Sequence, residues 1–105
     1  MKKLILFFLS TILIAGLMYS CKKDTTPPVI TIIGFNPVNT CVDMTYADAG
    51  ATASDDEDGD VTDKIETTVN VDTMNVGTYY VKYVVTDEAG NRAEATRTVE
   101  VIYCK

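Results

Sequence analysis

Histidine and tryptophan are both absent from this 105-residue chain, and cysteine occurs only three times. Without histidine the chain lacks the side chain whose ordinary pKa lies nearest neutrality, and with it the commonest general base. No serine or cysteine stands beside another plausible base, and no glycine-rich phosphate loop is present. The cysteines are widely spaced, with no C-x-x-C pair, which excludes a zinc knuckle. The aromatic residues are tyrosine and phenylalanine only, and so short a chain has little room for the aromatic-lined cleft that paired carboxylates need to cleave a sugar. Sustained helical periodicity is missing from everything beyond residue 20. Basic residues are also scarce, and the net charge of −6 disfavours a phosphate backbone as partner. These absences together point away from an enzyme and away from nucleic acid.

What is present begins with an export pattern. Lys2 and Lys3 precede an apolar stretch from Leu4 to Met18, interrupted only by Ser10 and Thr11. Fifteen residues at about 1.5 Å each reach roughly 22 Å, short of the ~30 Å hydrocarbon core, so a signal peptide is the expectation rather than a membrane-spanning anchor. Leu17-Met18-Tyr19-Ser20-Cys21 resembles a bacterial lipobox, in which a small residue precedes the cysteine that becomes the lipidated N-terminus. Met18 and Tyr19 depart from the usual residues of that motif. Lys22-Lys23-Asp24-Thr25-Thr26 then has the polarity of a tether. More than one acyl chain on Cys21 would make a firm anchor.

Cleavage before Cys21 would leave seven basic against fifteen acidic side chains, a net of −8. With Cys21 lipidated, Cys41 and Cys104 remain, and in an exported protein an even pair is expected to form a disulfide; two free thiols are the alternative.

The rest of the chain reads as short strands. Val29-Ile30-Thr31-Ile32-Ile33 is almost wholly β-branched. Val38 to Val42 forms a second strand, at a sheet edge because Pro37 adjoins it. Tyr46 to Ser54 alternates around a bend at Gly50, and Ile65, Thr67, Val69 and Val71 alternate with polar neighbours. Thr78 to Thr86 places Tyr79, Val81, Tyr83 and Val85 on one face, taken as the core face. Asp87-Glu88-Ala89-Gly90-Asn91 turns into a return strand from Arg92 to Tyr103, with Ala93, Ala95, Val99 and Val101 in register. Arg97 shares their parity, so either it lies at a rim or a bulge shifts the phase. About seven short strands predict an all-β sandwich. Asn75-x-Gly77-x-Tyr79-x-Val81 has the spacing of an immunoglobulin tyrosine corner, with Val81 where a cysteine would stand; the alternative is that Tyr79 is one more strand aromatic.

Three segments, DTTPPVITIIG, YADAGATASDDEDGDVTDKI and VDTMNVGTYYVKYVVTDEAGNRAEATRTVEV, together resemble the bacterial immunoglobulin-like domain of pesticidal crystal proteins and of bacterial surface proteins and lipoproteins. More loosely they resemble hyalin repeats. The match covers about residues 24–102. It implies an immunoglobulin-like β-sandwich used as a spacer or adhesion module, with no catalytic residues to transfer. Cys41 and Cys104 depart from the family's usual pattern. The expected organisation is a lipoprotein signal peptide over residues 1–20, a lipidated cysteine and tether over 21–27, and the immunoglobulin-like domain over 28–104.

Six of the fifteen acidic residues crowd into Asp55 to Asp63. This is not an EF-hand: Val61 stands where glycine is required, and the bidentate glutamate is missing. In a sandwich, however, the loop holding these acids and the loop at Asp87-Glu88 would meet at one end. Asp55, Asp56, Asp58, Asp60 and Asp87 are therefore candidate ligands for weakly bound Ca²⁺, against the plainer reading of a solvated acidic loop. No other cofactor is expected. Tyr80 takes the face opposite Tyr79, and both it and Tyr46 are candidate binding-surface residues. The expected function is a lipid-anchored module of the cell envelope, at the outer membrane and facing periplasm or medium, with an adhesive, spacing or protein-interaction role. The alternative is a small lipoprotein that binds a glycan or other ligand.

Overall fold

In the computed structural model, residues 24–105 are described; the segment read above as a signal peptide, and Cys21 with it, lie outside them. Seven strands follow in chain order: β1 (Val29–Ile32), β2 (Val38–Cys41), β3 (Ala51–Asp55), β4 (Gly59–Asp60), β5 (Glu66–Asn70), β6 (Gly77–Thr86) and β7 (Arg92–Ile102). The only helical element among the described residues is a single 3₁₀ turn at Thr62–Lys64. The strands form two sheets, β1-β3-β4 and β2-β7-β6-β5, which close face to face as an immunoglobulin-like sandwich.

The β6–β7 hairpin is the spine of the larger sheet. Its antiparallel register runs unbroken from Thr86↔Arg92 to Gly77↔Val101. Period-two alternation turns Val81, Tyr83 and Val85 inward from β6, and Val99 and Val101 inward from β7. Ala53 and Val61 close the core from the other side, with Ile30, Ile32, Val38, Ile65 and Val71 packed around it. Gly50 makes the corner into β3 at φ +84°, a left-handed conformation that a side chain would strain.

The edge position expected for the second strand is found. β2 lies at the margin of its sheet, parallel to β7, with Cys41 paired to Ile102. That pairing brings Cys41 and Cys104 together in a disulfide, with 5.5 Å between their Cα atoms. At the same end the Tyr79 hydroxyl donates to the Asn75 carbonyl at 2.9 Å, which is the tyrosine-corner bond.

The strand expected from the alternation of Ile65, Thr67, Val69 and Val71 is found as β5, but all five of its residues are exposed. β5 is the outer strand of its sheet, and the covering strand β1 packs over β7 instead, so only Ile65 and Val71, just beyond the ends of β5, reach the interior. Arg97 lies neither at a rim nor beside a bulge. It points into the core at 1% exposure, in an uninterrupted ladder.

Arg97 is tolerated there because each of its nitrogens has a hydrogen-bond partner. Nε donates to the Tyr83 hydroxyl at 3.1 Å and lies 2.9 Å from Asp48 Oδ1. Nη2 donates to the carbonyls of Ile33 (2.6 Å) and Gly50 (2.9 Å), and Nη1 to that of Phe35. Asp48 in turn accepts from the hydroxyls of Tyr46 (2.5 Å) and Tyr83 and from the Gly50 N–H (3.0 Å). Burial pushes the Asp48 carboxyl up, but the two tyrosine hydroxyls, the Gly50 amide and Arg97 outweigh it and hold the group below the usual carboxylate range. The same network engages Tyr46, whose hydroxyl is bound inward rather than offered to a partner.

Candidate functional site

Alternation does not stop where the hydrophobic residues do. Carried two residues beyond Val85, it places Asp87 on the inward face at 4% exposure; carried two beyond Ala53, it places Asp55 there at 7%. Both carboxylates sit just beneath the surface at the pole of the sandwich where the chain enters β1. Asp24, at that entry, completes the group: one oxygen each of Asp24, Asp55 and Asp87 lie within 4.8 Å of one another.

Each acid is positioned by its own turn. Asp55 ends β3, and its Oδ2 accepts from the backbone N–H groups of Glu57 (3.1 Å) and Asp58 (3.0 Å), which shapes the tip of the acidic loop. Asp87 is gripped by Asn91, whose backbone N–H donates to Oδ1 at 2.8 Å and whose side-chain amide donates to Oδ2 at 3.0 Å. The same Asn91 amide donates to the Asp24 carbonyl at 3.0 Å and so ties the entry segment to the β6–β7 turn. Thr26 N–H donates to Asp24 Oδ1 at 3.0 Å, and Pro28 is buried. A segment read from the sequence as tether up to residue 27 is thus fastened to the domain from Asp24 onward.

The two loops expected to converge do so. Glu88 N–H donates to Asp58 Oδ2 at 2.9 Å, bridging them directly. Of the five candidate ligands named from the sequence, Asp55 and Asp87 enter the cluster and Asp58 joins the loops beside it. Asp56 faces solvent, on the opposite parity to Asp55. Asp60 is turned away toward Thr62, its Oδ1 accepting from the Thr62 N–H (3.0 Å) and hydroxyl (2.6 Å), and those bonds hold its carboxyl low. Asp24 and Asn91 were missed. The signal for Asp24 lay in its place before Thr-Thr-Pro-Pro, where the polar composition read as linker.

Electrostatically the three acids are not equivalent. For Asp87, burial pushes the carboxyl up, but the two Asn91 donors prevail and hold it low. For Asp24, the Thr26 N–H pulls downward, yet burial together with the Asp87 and Asp55 carboxylates raises the group above its ordinary value. Two buried oxygens, Asp24 Oδ2 and Asp55 Oδ1, have no hydrogen-bond partner. Elsewhere, Tyr80 stands on the outer face of the larger sheet, 54% exposed.

A family model described as bacterial surface protein, Ig-like domain, matches residues 30–101, more than half of the chain. No curated protein matches. Among solved structures, the chain is similar to a lipoprotein from Bacteroides thetaiotaomicron (TM-score 0.62, 22% identity, covering 74% of this chain and 39% of that one), a likeness that shows the fold alone. It is also similar to parts of two structures of ZmpB from Clostridium perfringens. One holds the M60 catalytic domain with CBM51-1 and CBM51-2 (TM-score 0.61, 28% identity, covering 76% of this chain and 8% of that one). The other holds CBM51-2 in complex with GlcNAc together with INT domains (TM-score 0.58, 29% identity, covering 73% of this chain and 17% of that one). The chain thus spans less than half the length of each of these proteins.

Proposed function

The chain belongs to the family of bacterial surface protein immunoglobulin-like domains, and from that premise we propose that it is a non-catalytic, lipid-anchored module of the cell envelope that holds an interaction surface away from the membrane. Cys21 is the lipidated residue in this reading, and the outer membrane is the site of the anchor. The observation that carries the proposal is the polarity of the fold. Asp24, three residues after Cys21, is bound at one pole. The opposite pole, where Val42 N–H meets the Ile102 carbonyl and Asp43 N–H meets that of Thr73, exposes Met44, Met74, Val76 and Tyr103, the last at 81%. Between the poles runs β7, whose 11 residues at about 3.3 Å each span roughly 36 Å. Such a body serves as a rigid spacer that offers its far end to a protein partner.

The lining of the depression over the smaller sheet favours a non-catalytic role. This depression, of about 450 Å³, is lined by Val29, Thr31, Thr52, Ser54 and Asp60 among others. Its one ionisable side chain, Asp60, is occupied in accepting hydrogen bonds from Thr62. Labelled palmitate tests the anchor. In a Gram-negative host the wild-type chain takes up label and partitions into detergent, whereas Cys21→Ala does neither; a variant that still labels overturns the anchor. A glycan array tests the role. Saturable binding of a defined sugar that disappears in Tyr80→Ala would replace the spacer with a glycan-binding module.

A further inference from the structure

We propose that Asp24, Asp55 and Asp87 bind a single Ca²⁺ ion that fastens the entry segment to the two loops at the same pole. The argument begins with what a buried carboxylate needs. Asp55 is 7% exposed, and while its Oδ2 accepts two backbone N–H groups, its Oδ1 has no donor at all. Asp24 Oδ2 is in the same condition. A buried carboxylate oxygen without a partner is rare and unfavourable, and it calls for something that supplies positive charge. The ion pairs among the described residues go to Glu94 and Asp48, and none reaches this cluster. A single shared proton would join one pair of oxygens and leave the third carboxylate facing the others. One divalent cation meets all three together.

The donor set selects the ion. All three ligands are carboxylate oxygens, and neither histidine nor thiolate accompanies them, which suits a hard cation rather than zinc or copper. Oxygens within 4.8 Å of one another can share an ion at about 2.3–2.6 Å, the range of Ca²⁺. Magnesium requires about 2.0–2.1 Å and strict octahedral geometry, and three acids fixed by three separate turns are poorly placed to contract around it. Water completes the coordination. Asp56, Glu57 and Glu88, exposed nearby, add to a negative potential that draws cations to this pole.

This differs from an ion held by the acidic loop alone, because Asp24 comes from the segment leading to Cys21 and not from either loop. The ion site does not depend on the anchor: if Cys21 proves unmodified, the three carboxylates still converge. If the anchor holds, bound calcium also sets the angle between the domain and its tether.

The test uses the full chain in detergent, titrated calorimetrically with CaCl₂ and MgCl₂ at constant ionic strength. Calcium is expected to bind at one site with a dissociation constant of about 10⁻⁴–10⁻³ M, the range of extracellular calcium modules. It should raise the melting temperature by several degrees at millimolar concentration and slow amide exchange at Thr26 and Asn91, with magnesium far weaker. Asp24→Asn and Asp87→Asn should each weaken calcium binding at least tenfold, while Asp56→Asn leaves it unchanged. Asp24→Asn is the decisive variant, since it precedes β1 and leaves every strand intact. Equal shifts from calcium, magnesium and sodium chloride overturn the proposal, as does calcium binding that survives Asp24→Asn but is lost in Asp56→Asn.

Discussion

A guanidinium at 1% exposure must replace the water it gives up, and Arg97 does so with three carbonyls, a tyrosine hydroxyl and the Asp48 carboxylate. Such a pair adds little over a well-packed apolar substitute, but breaking it by removing one partner is costly. Asp48→Asn should therefore destabilise the domain by about 3 kcal/mol, measured by urea unfolding. The dependence on pH follows from the direction of the shift. The folded-state pKa of Asp48 lies below its unfolded value near 3.9. Its contribution is complete above that value and is lost as the pH falls through the folded-state pKa. Circular dichroism between about pH 5 and pH 2 should show the wild type losing stability toward the lower end of that range, with a shallower decline in Asp48→Asn. Identical slopes in the two proteins would remove Asp48 as the acid-sensitive group.

At the scale of elements, the β6–β7 hairpin dominates and its entry is pinned by Tyr79. The preceding turn is itself organised: Asp72 accepts from the Met74 N–H at 3.0 Å and from the Asn75 side chain at 2.8 Å, and the Asn75 carbonyl receives the tyrosine hydroxyl. Tyr79→Phe keeps the ring and deletes one hydrogen bond at a partly solvated site. It should cost about 0.5–1 kcal/mol and lower the melting temperature by a few degrees. A melting temperature unchanged within error would show that the ring alone holds the corner. β5 makes a contrasting case. All five of its residues are exposed, and it is attached through β6 alone, so its outer edge is one of those at which the fold is open to a further strand.

For the molecule as a whole, the core is small, and the Cys41–Cys104 bridge joins residues 63 apart in sequence. Closing a loop of that length in the unfolded chain is worth about 4 kcal/mol in the chain-entropy description. The bridge ties edge strand β2, otherwise held on one side only, to the end of β7. Cys41→Ser/Cys104→Ser should consequently melt lower by on the order of 20 °C, read by calorimetry against the oxidised wild type. Oxidised and bridge-less proteins melting within a few degrees of each other would show that strand pairing suffices.

The sequence by itself determined the strand-rich class, the inward face of β6, the edge place of β2, the pairing of the last two cysteines and the meeting of two acidic loops. All but the last are written in local alternation, in turn residues or in a count, and the meeting of the loops follows once a sandwich is assumed. The tertiary structure alone decided what faces what. Alternation put Arg97 on the core face but could not reveal that Asp48, Tyr46 and the carbonyls around Gly50 wait across the sandwich to receive it. It also made β5 look half-buried, because burial depends on how far the covering sheet extends. Asp24 read as linker for the same reason: its partners, Asn91, Asp55 and Asp87, are distant in sequence and meet it only when the entry segment lies down against the pole. A pattern along one strand fixes which way a side chain points, whereas its partner is chosen by how two sheets pack.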